Sequence, residues 1–165
     1  MNVIPRVLFV LALVLVPVLV WTTSADLPAR VATHFGNGGA PNGWMPHDAY
    51  LALMLPLTTL LPLFVVGVTG FVPRLALSQI RVANREHWLS PARRDETLAW
   101  LASHACWLGL VLMVFLGGLH LLLVQANARA PVRLSEPHFF ALLGVFVALL
   151  AGWIVAMTLR FRRGL

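Results

Sequence analysis

Lysine is absent, acidic residues number six, and cysteine occurs once, at Cys106. Each shortage excludes something. A single cysteine cannot build an intrachain disulfide framework or a multi-cysteine zinc centre. Charged residues are only 11% of the 165, less than half of the roughly 25% typical of soluble domains. With a mean hydropathy of +0.84, that shortage excludes both an ordinary soluble globule and a disordered chain. The sequence also lacks a G-x-S-x-G elbow, a Walker loop, an H-E-x-x-H helix and a dinucleotide-binding glycine fingerprint. No nucleophile or phosphate cradle stands in a recognisable setting, so no enzyme and no cofactor are expected.

What is present is hydrocarbon. Apolar residues make up 59% of the chain. Four runs approach or exceed the roughly 20 residues that cross a bilayer as a helix: about 4–21, 50–72, 98–124 and 139–159. The predicted fold is an all-α integral membrane four-helix bundle forming a single domain over 1–165. The first run, with Arg6 at its edge and Thr23-Ser24-Ala25 after it, also has the outline of a cleaved signal peptide. Its length argues for an uncleaved anchor.

Arginine placement sets the orientation. Arg6, the loop between the second and third runs, and the tail hold nine arginines; the other two loops hold three. Arginine-rich ends stay in the cytoplasm, so both termini are expected inside. The +6 charge then faces anionic lipid headgroups, with no need for nucleic acid as a partner. Trp21, Trp88 and Trp100 stand at predicted interfaces; Trp107 and Trp153 lie deeper and are expected to pack between helices.

Within the spans, Pro56 and Pro62 predict a kinked second helix or one broken around a cavity. The uncharged surroundings favour the kink. Thr58 and Thr59 are placed to satisfy freed backbone groups. In the fourth span Gly144, Ala148, Gly152 and Ala156 recur every four residues. Such a stripe lets a second backbone approach, either the third span, through Gly109, Gly117 or Gly118, or a second copy in a homo-oligomer; intrachain packing is the preferred reading. Ser90-Pro91 reads as the start of a helix of about 35 residues, or about 52 Å.

The loop between the first two spans is the most individual segment. Residues 27–35 read as extended. Gly36-Asn37-Gly38-Gly39 and Pro41-Asn42-Gly43 are strong turn signals, so the loop is expected to be a compact, turn-rich extracytoplasmic cap with a hairpin-like piece. Trp44 is expected to fold back on the bilayer surface or on the tops of the spans. Pro28, His34-Phe35, Gly39, Pro41 and Gly43-Trp44 together resemble the signature of the bacterial domain-of-unknown-function family 1648, over roughly residues 10–70. Asn84 to Leu89, with Arg93-Arg94, resembles a segment of its small relatives. The resemblance implies a membrane location and a shared outer loop. The same domain forms the N-terminal part of Sdp-type immunity proteins, which implies an immunity- or sensor-like role.

Six histidines raise the question of a metal. His34, His47, Asp48, His120 and His138 fall on the predicted outer side, yet no pair has the His-x-x-x-His spacing of a helical site, and no metal is expected. His104, beside Ser103 and two residues from Cys106, stands about 160° around the helix from His120 and reads as a buried hydrogen-bonding residue. In the cytoplasmic loop, Glu86-His87 and Asp95-Glu96 are adjacent and so diverge, leaving no ready acid–base couple. The favoured function is non-enzymatic recognition of an envelope peptide, lipid or protein, with His34, Phe35, Gly39, Pro41, Gly43 and Trp44 as the site. A small transporter or channel-like oligomer ranks second and a metal-dependent membrane enzyme third.

Overall fold

The computed structural model describes residues 3–75 and 77–162; Arg163, counted above among the tail arginines, lies outside them. The described elements run α1 (Ile4–Thr23), β1 (Arg30–Phe35), β2 (Pro41–Pro46), α2 (His47–Val66), α3 (Val72–Leu75), α4 (Arg85–Trp88), α5 (Arg94–Asn127) and α6 (Glu136–Arg162). Four helical stretches are long and apolar enough to cross a membrane: Ile4–Thr23, His47–Leu75, Arg94–Asn127 and Glu136–Arg162. The chain is a multi-pass membrane protein. It is not purely all-α, because the first loop folds into a two-stranded antiparallel sheet.

The third span, α5, is the hub. It packs against α1, α2 and α6, and small residues make this approach feasible. A Cβ on Gly109 would lie 2.6 Å from both Phe9 of α1 and Val66 of α2. Three helices therefore meet where α5 has no side chain. Phe9, Val66, Ala105, Cys106 and Met113 form the core around that point. Gly117 faces Val16 at 3.5 Å, and Gly118 receives Leu142 from α6.

The small-residue stripe of α6 does not take part in this packing. Gly144, Ala148, Gly152 and Ala156 are all exposed, and a Cβ on either glycine would meet nothing within 4 Å. The contacting face is instead Leu142 on Gly118, Phe146 stacked on Phe115 at 4.4 Å, and Trp153 stacked on His104 at 4.6 Å. Leu142 and Gly144 are two residues apart and so about 200° apart around the helix. Seating large side chains of α6 in the gaps of α5 turns the stripe away.

Local detail departs from the sequence reading at several points. α2 is not broken at Pro56 or Pro62: the helix runs through both, and a π-helical stretch follows at Gly67–Phe71. Thr58 and Thr59 hydrogen-bond the carbonyls of Met54 and Leu55 at 2.8 and 2.6 Å. Those carbonyls belong to their own turns and are not the ones the prolines release. Finally, α5 begins at Arg94, three residues after Pro91. Ser90 instead turns back, its hydroxyl donating to the His87 carbonyl at 2.9 Å. Trp107, expected between helices, is 42% exposed, and Trp88, expected at an interface, is buried.

Candidate functional site

The hairpin lies across one end of the bundle. Its pairing runs Arg30 with Pro46, Val31 with Met45, Ala32 with Trp44, His34 with Gly43 and Phe35 with Pro41, with the register broken around Thr33. A bulge of this kind changes which face successive residues take. Ahead of it, Val31 and Ala32 are both fully buried. Val31 packs with Val20, Tyr50, Met54 and Leu123, while Phe35 and Met45 close over them. Along β2, Asn42, Trp44 and Pro46 point outward at alternate positions.

The tip is held in a specific shape. Gly36 N–H donates to the Ala40 carbonyl at 2.8 Å. Gly38 and Gly39 adopt φ of +73° and +71°, a region that residues with a Cβ rarely enter. A Cβ on Gly39 would also run into the Leu134 carbonyl oxygen. Gly43 meets a different need: a Cβ there would lie 2.9 Å from that of His34, its cross-strand partner.

Residues far along the chain clasp the hairpin to the bundle. The Asn127 side chain, at the end of α5, accepts from the Ala32 N–H at 2.8 Å and donates to the Ala32 carbonyl at 3.0 Å. Its amide also donates to the Leu123 carbonyl at 2.9 Å. Thus the free edge of β1 is paired by a side chain where a third strand would otherwise lie. At the tip, Leu134 N–H donates to the Gly39 carbonyl at 2.9 Å and Gly38 N–H donates to Glu136 Oε1 at 2.7 Å. At the base, His47 N–H donates to the Ala29 carbonyl at 3.0 Å, and its ring Nε2 lies 2.9 Å from the Ser24 carbonyl.

Beneath the hairpin sits a buried polar chain. Tyr50 hydroxyl is 2.6 Å from His120 Nδ1, and His120 Nε2 is 2.7 Å from Thr23 Oγ1, whose own hydroxyl donates to the Leu19 carbonyl at 2.6 Å. Thr23 has one proton, and Leu19 takes it. Thr23 therefore accepts from His120 Nε2–H, and Nδ1 accepts from Tyr50. One tautomer satisfies every member, which is what a buried polar group in a membrane protein requires. These bonds tie α1, α2 and α5 together just below the sheet.

At the other end of the bundle, His104 is stacked between Trp100 and Trp153 at 4.4 and 4.6 Å. His104 Nε2 lies 3.1 Å from the Trp153 carbonyl, and Trp153 Nε1 donates to the His104 carbonyl at 2.8 Å. This reciprocal pair links α5 and α6, as does the Arg160–Glu96 ion pair at 2.8 Å. It matches the expectation of a buried, hydrogen-bonded histidine, and His120 indeed faces other helices.

The hairpin brings two of the six sequence-chosen residues to the surface, His34 and Trp44, the latter 43% exposed. Phe35, Pro41 and Gly43 are half-buried and Gly39 is buried, so these four shape the mount. The histidines assigned by sequence to the outer side do not converge: His47 meets Ser24, His120 lies within the bundle, and His138 Nδ1 sits 2.6 Å from Ser135 Oγ. Among the described residues no three His, Cys, Asp or Glu side chains lie close enough to share an ion.

Residues 7–60 match DUF1648, a domain of unknown function. The DUF1648 match takes in most of α1, the whole hairpin and most of α2, about a third of the chain. It upholds the resemblance carried by Pro28, His34-Phe35, Gly39, Pro41 and Gly43-Trp44, all of which lie inside it. No curated protein and no solved structure gives a significant match. Asn127, Tyr50 and Thr23 were missed by sequence reasoning. Tyr50 carried a usable signal, as the only tyrosine in the chain and placed where a span begins.

Proposed function

We propose that this protein is a non-enzymatic component of a bacterial cytoplasmic membrane, with both termini inside, that recognises an envelope peptide, lipid or protein through its outer hairpin. The observation carrying this reading is the mounting of the hairpin. Asn127, Leu134 and Glu136 fix it from one side and His47 from the other, while Trp44 projects from it 43% exposed. Loops held on a rigid scaffold are favoured binding elements, and an exposed tryptophan is a preferred anchor of contact patches. An immunity- or sensor-like role is the form of this reading that the DUF1648 resemblance favours. The nine-to-three arginine distribution supports the orientation. Inside the spans, the histidines, Tyr50 and Thr23 bond to one another and to the backbone, which favours recognition over a transport path.

The test is complementation of a deletion strain. Trp44→Ala and His34→Ala should abolish the phenotype while membrane abundance stays near normal, and a phosphatase fused after Asn42 should be active only if the hairpin lies outside. Loop variants that complement fully, or a silent fusion, would overturn the reading; loop variants lost from the membrane would reassign both residues to folding.

A further inference from the structure

A groove of about 460 Å³ lies at the bundle end opposite the hairpin, between the start of α1 and the end of α2, with α5 as its floor. Its volume falls within the range of small-ligand sites, about 300–1,000 Å³. Along α1 it runs from Arg6 through Val10 to Leu13, a depth of about 10 Å at 1.5 Å per residue. Leu63 forms the facing wall, and Gly67 opens the π-helical stretch where the backbone departs from α-geometry. Such stretches occur frequently at functional sites. A Cβ on Gly67 would meet nothing within 4 Å, so this glycine does not serve close packing; it leaves space.

Two cations stand at the groove. Arg6 is half-buried and donates to the Ala99 carbonyl at 3.5 Å. Arg74 lies with its guanidinium 5.6 Å from the Phe71 ring. Among the described residues neither has a carboxylate partner, whereas Arg94 and Arg160 do. Both arginines flank spans at the end where the arginines of the chain concentrate, so they stand at headgroup depth while Val10, Leu13 and Leu63 reach into hydrocarbon.

We propose that this groove binds one anionic phospholipid, with its phosphate held between Arg6 and Arg74 and an acyl chain laid along Val10 and Leu13 towards Leu63. Guanidinium forks match phosphate oxygens in geometry and charge, and basic pockets between spans are recurrent headgroup sites. The exposed outer wall of the groove, with Val10 60% and Leu63 44% exposed, admits the lipid sideways from the bilayer.

The experiment is lipid retention by the full chain in mild detergent, read by native mass spectrometry with phosphatidylglycerol or phosphatidylcholine added. Wild type should retain one phosphatidylglycerol in preference to phosphatidylcholine. Arg6→Gln with Arg74→Gln should weaken that preference roughly tenfold or more, at about 1 kcal/mol per arginine near a charged surface. Arg81→Gln, outside the groove, should not. Gly67→Leu, whose Cβ would meet nothing within 4 Å, should fill the groove and remove the bound lipid; unchanged helical content and thermal stability would show that it still folds. Equal retention of the two phospholipids by wild type, or an unchanged preference in the double arginine variant, would overturn the proposal. Stronger retention of palmitate than of phosphatidylglycerol would also overturn it, assigning the groove to a single-chain carboxylate.

Discussion

Replacing Asn127 with leucine removes the clasp on β1 while keeping the branching of the side chain at Cγ. In the native protein Ala32 is fully buried, and both its N–H and its carbonyl are paired with Asn127. The variant strands both. A buried backbone group left without a partner costs about 1–3 kcal/mol, so two stranded groups would cost more than the hairpin gains by staying seated at that edge. The cheapest relief is local: the edge of β1 lifts until water replaces the amide. Taking about 2 kcal/mol as the net loss, local opening becomes roughly 30-fold more frequent. Hydrogen exchange by mass spectrometry in nanodiscs reads this directly. Peptides covering β1 and β2 should exchange about 30-fold faster, while peptides from the middle of α5, around Gly109, should not change. Unaltered exchange at the hairpin would refute the argument. So would an equal rise in both regions, because the effect would then be global loss of stability rather than release of a clasp.

Two further predictions concern the bundle. Gly109→Ala should lower the midpoint of thermal unfolding in detergent, at a cost of about 1–3 kcal/mol for overpacking, because its Cβ meets Phe9 and Val66 at 2.6 Å; Gly152→Ala, with nothing within 4 Å, should leave the midpoint unchanged, and equal effects would contradict the packing described. Tyr50→Phe and His120→Phe should each destabilise by about 1–3 kcal/mol, since each leaves a buried partner unpaired, whereas the double variant should cost less than the sum of the two; strict additivity in that cycle would mean that the pair does not act as a unit.

Sequence reasoning reached the parts of this structure that are local. The spans were legible because a bilayer demands a minimum apolar length, and nothing else in the chain competes with those runs. The hairpin was legible from Gly36 to Gly43 because turns need residues of particular backbone freedom, and Gly38 and Gly39 show that need. The α6 stripe misled for a physical reason. In water a small apolar residue is drawn to a protein interface, but lipid tails are as apolar as a neighbouring helix, so composition cannot tell a packed glycine from one facing lipid. Asn127 was invisible for the opposite reason. An asparagine at the end of an apolar run reads as the edge of the membrane, and its partner Ala32 stands 95 residues away. Glu136 and Gly38, separated by 98 residues, belong to the same class of contact.

That separation matters for how the molecule is assembled. The recurring unit that spans residues 7–60 is not a self-sufficient folding unit, because the groups that close it arrive from Asn127, Leu134 and Glu136. During synthesis the base of the hairpin is fastened at once by His47, but its edge and tip emerge some eighty residues before Asn127, the first group that holds them. Until then Ala32 N–H and carbonyl, Gly39 carbonyl and Gly38 N–H have only water or a transient helper to bond. A nascent chain with two helices inserted therefore carries an open-edged sheet on one side of the membrane, and translation must reach the start of α6 before that edge is covered. In this chain, then, the sequence downstream of residues 7–60 governs how well that segment holds its shape.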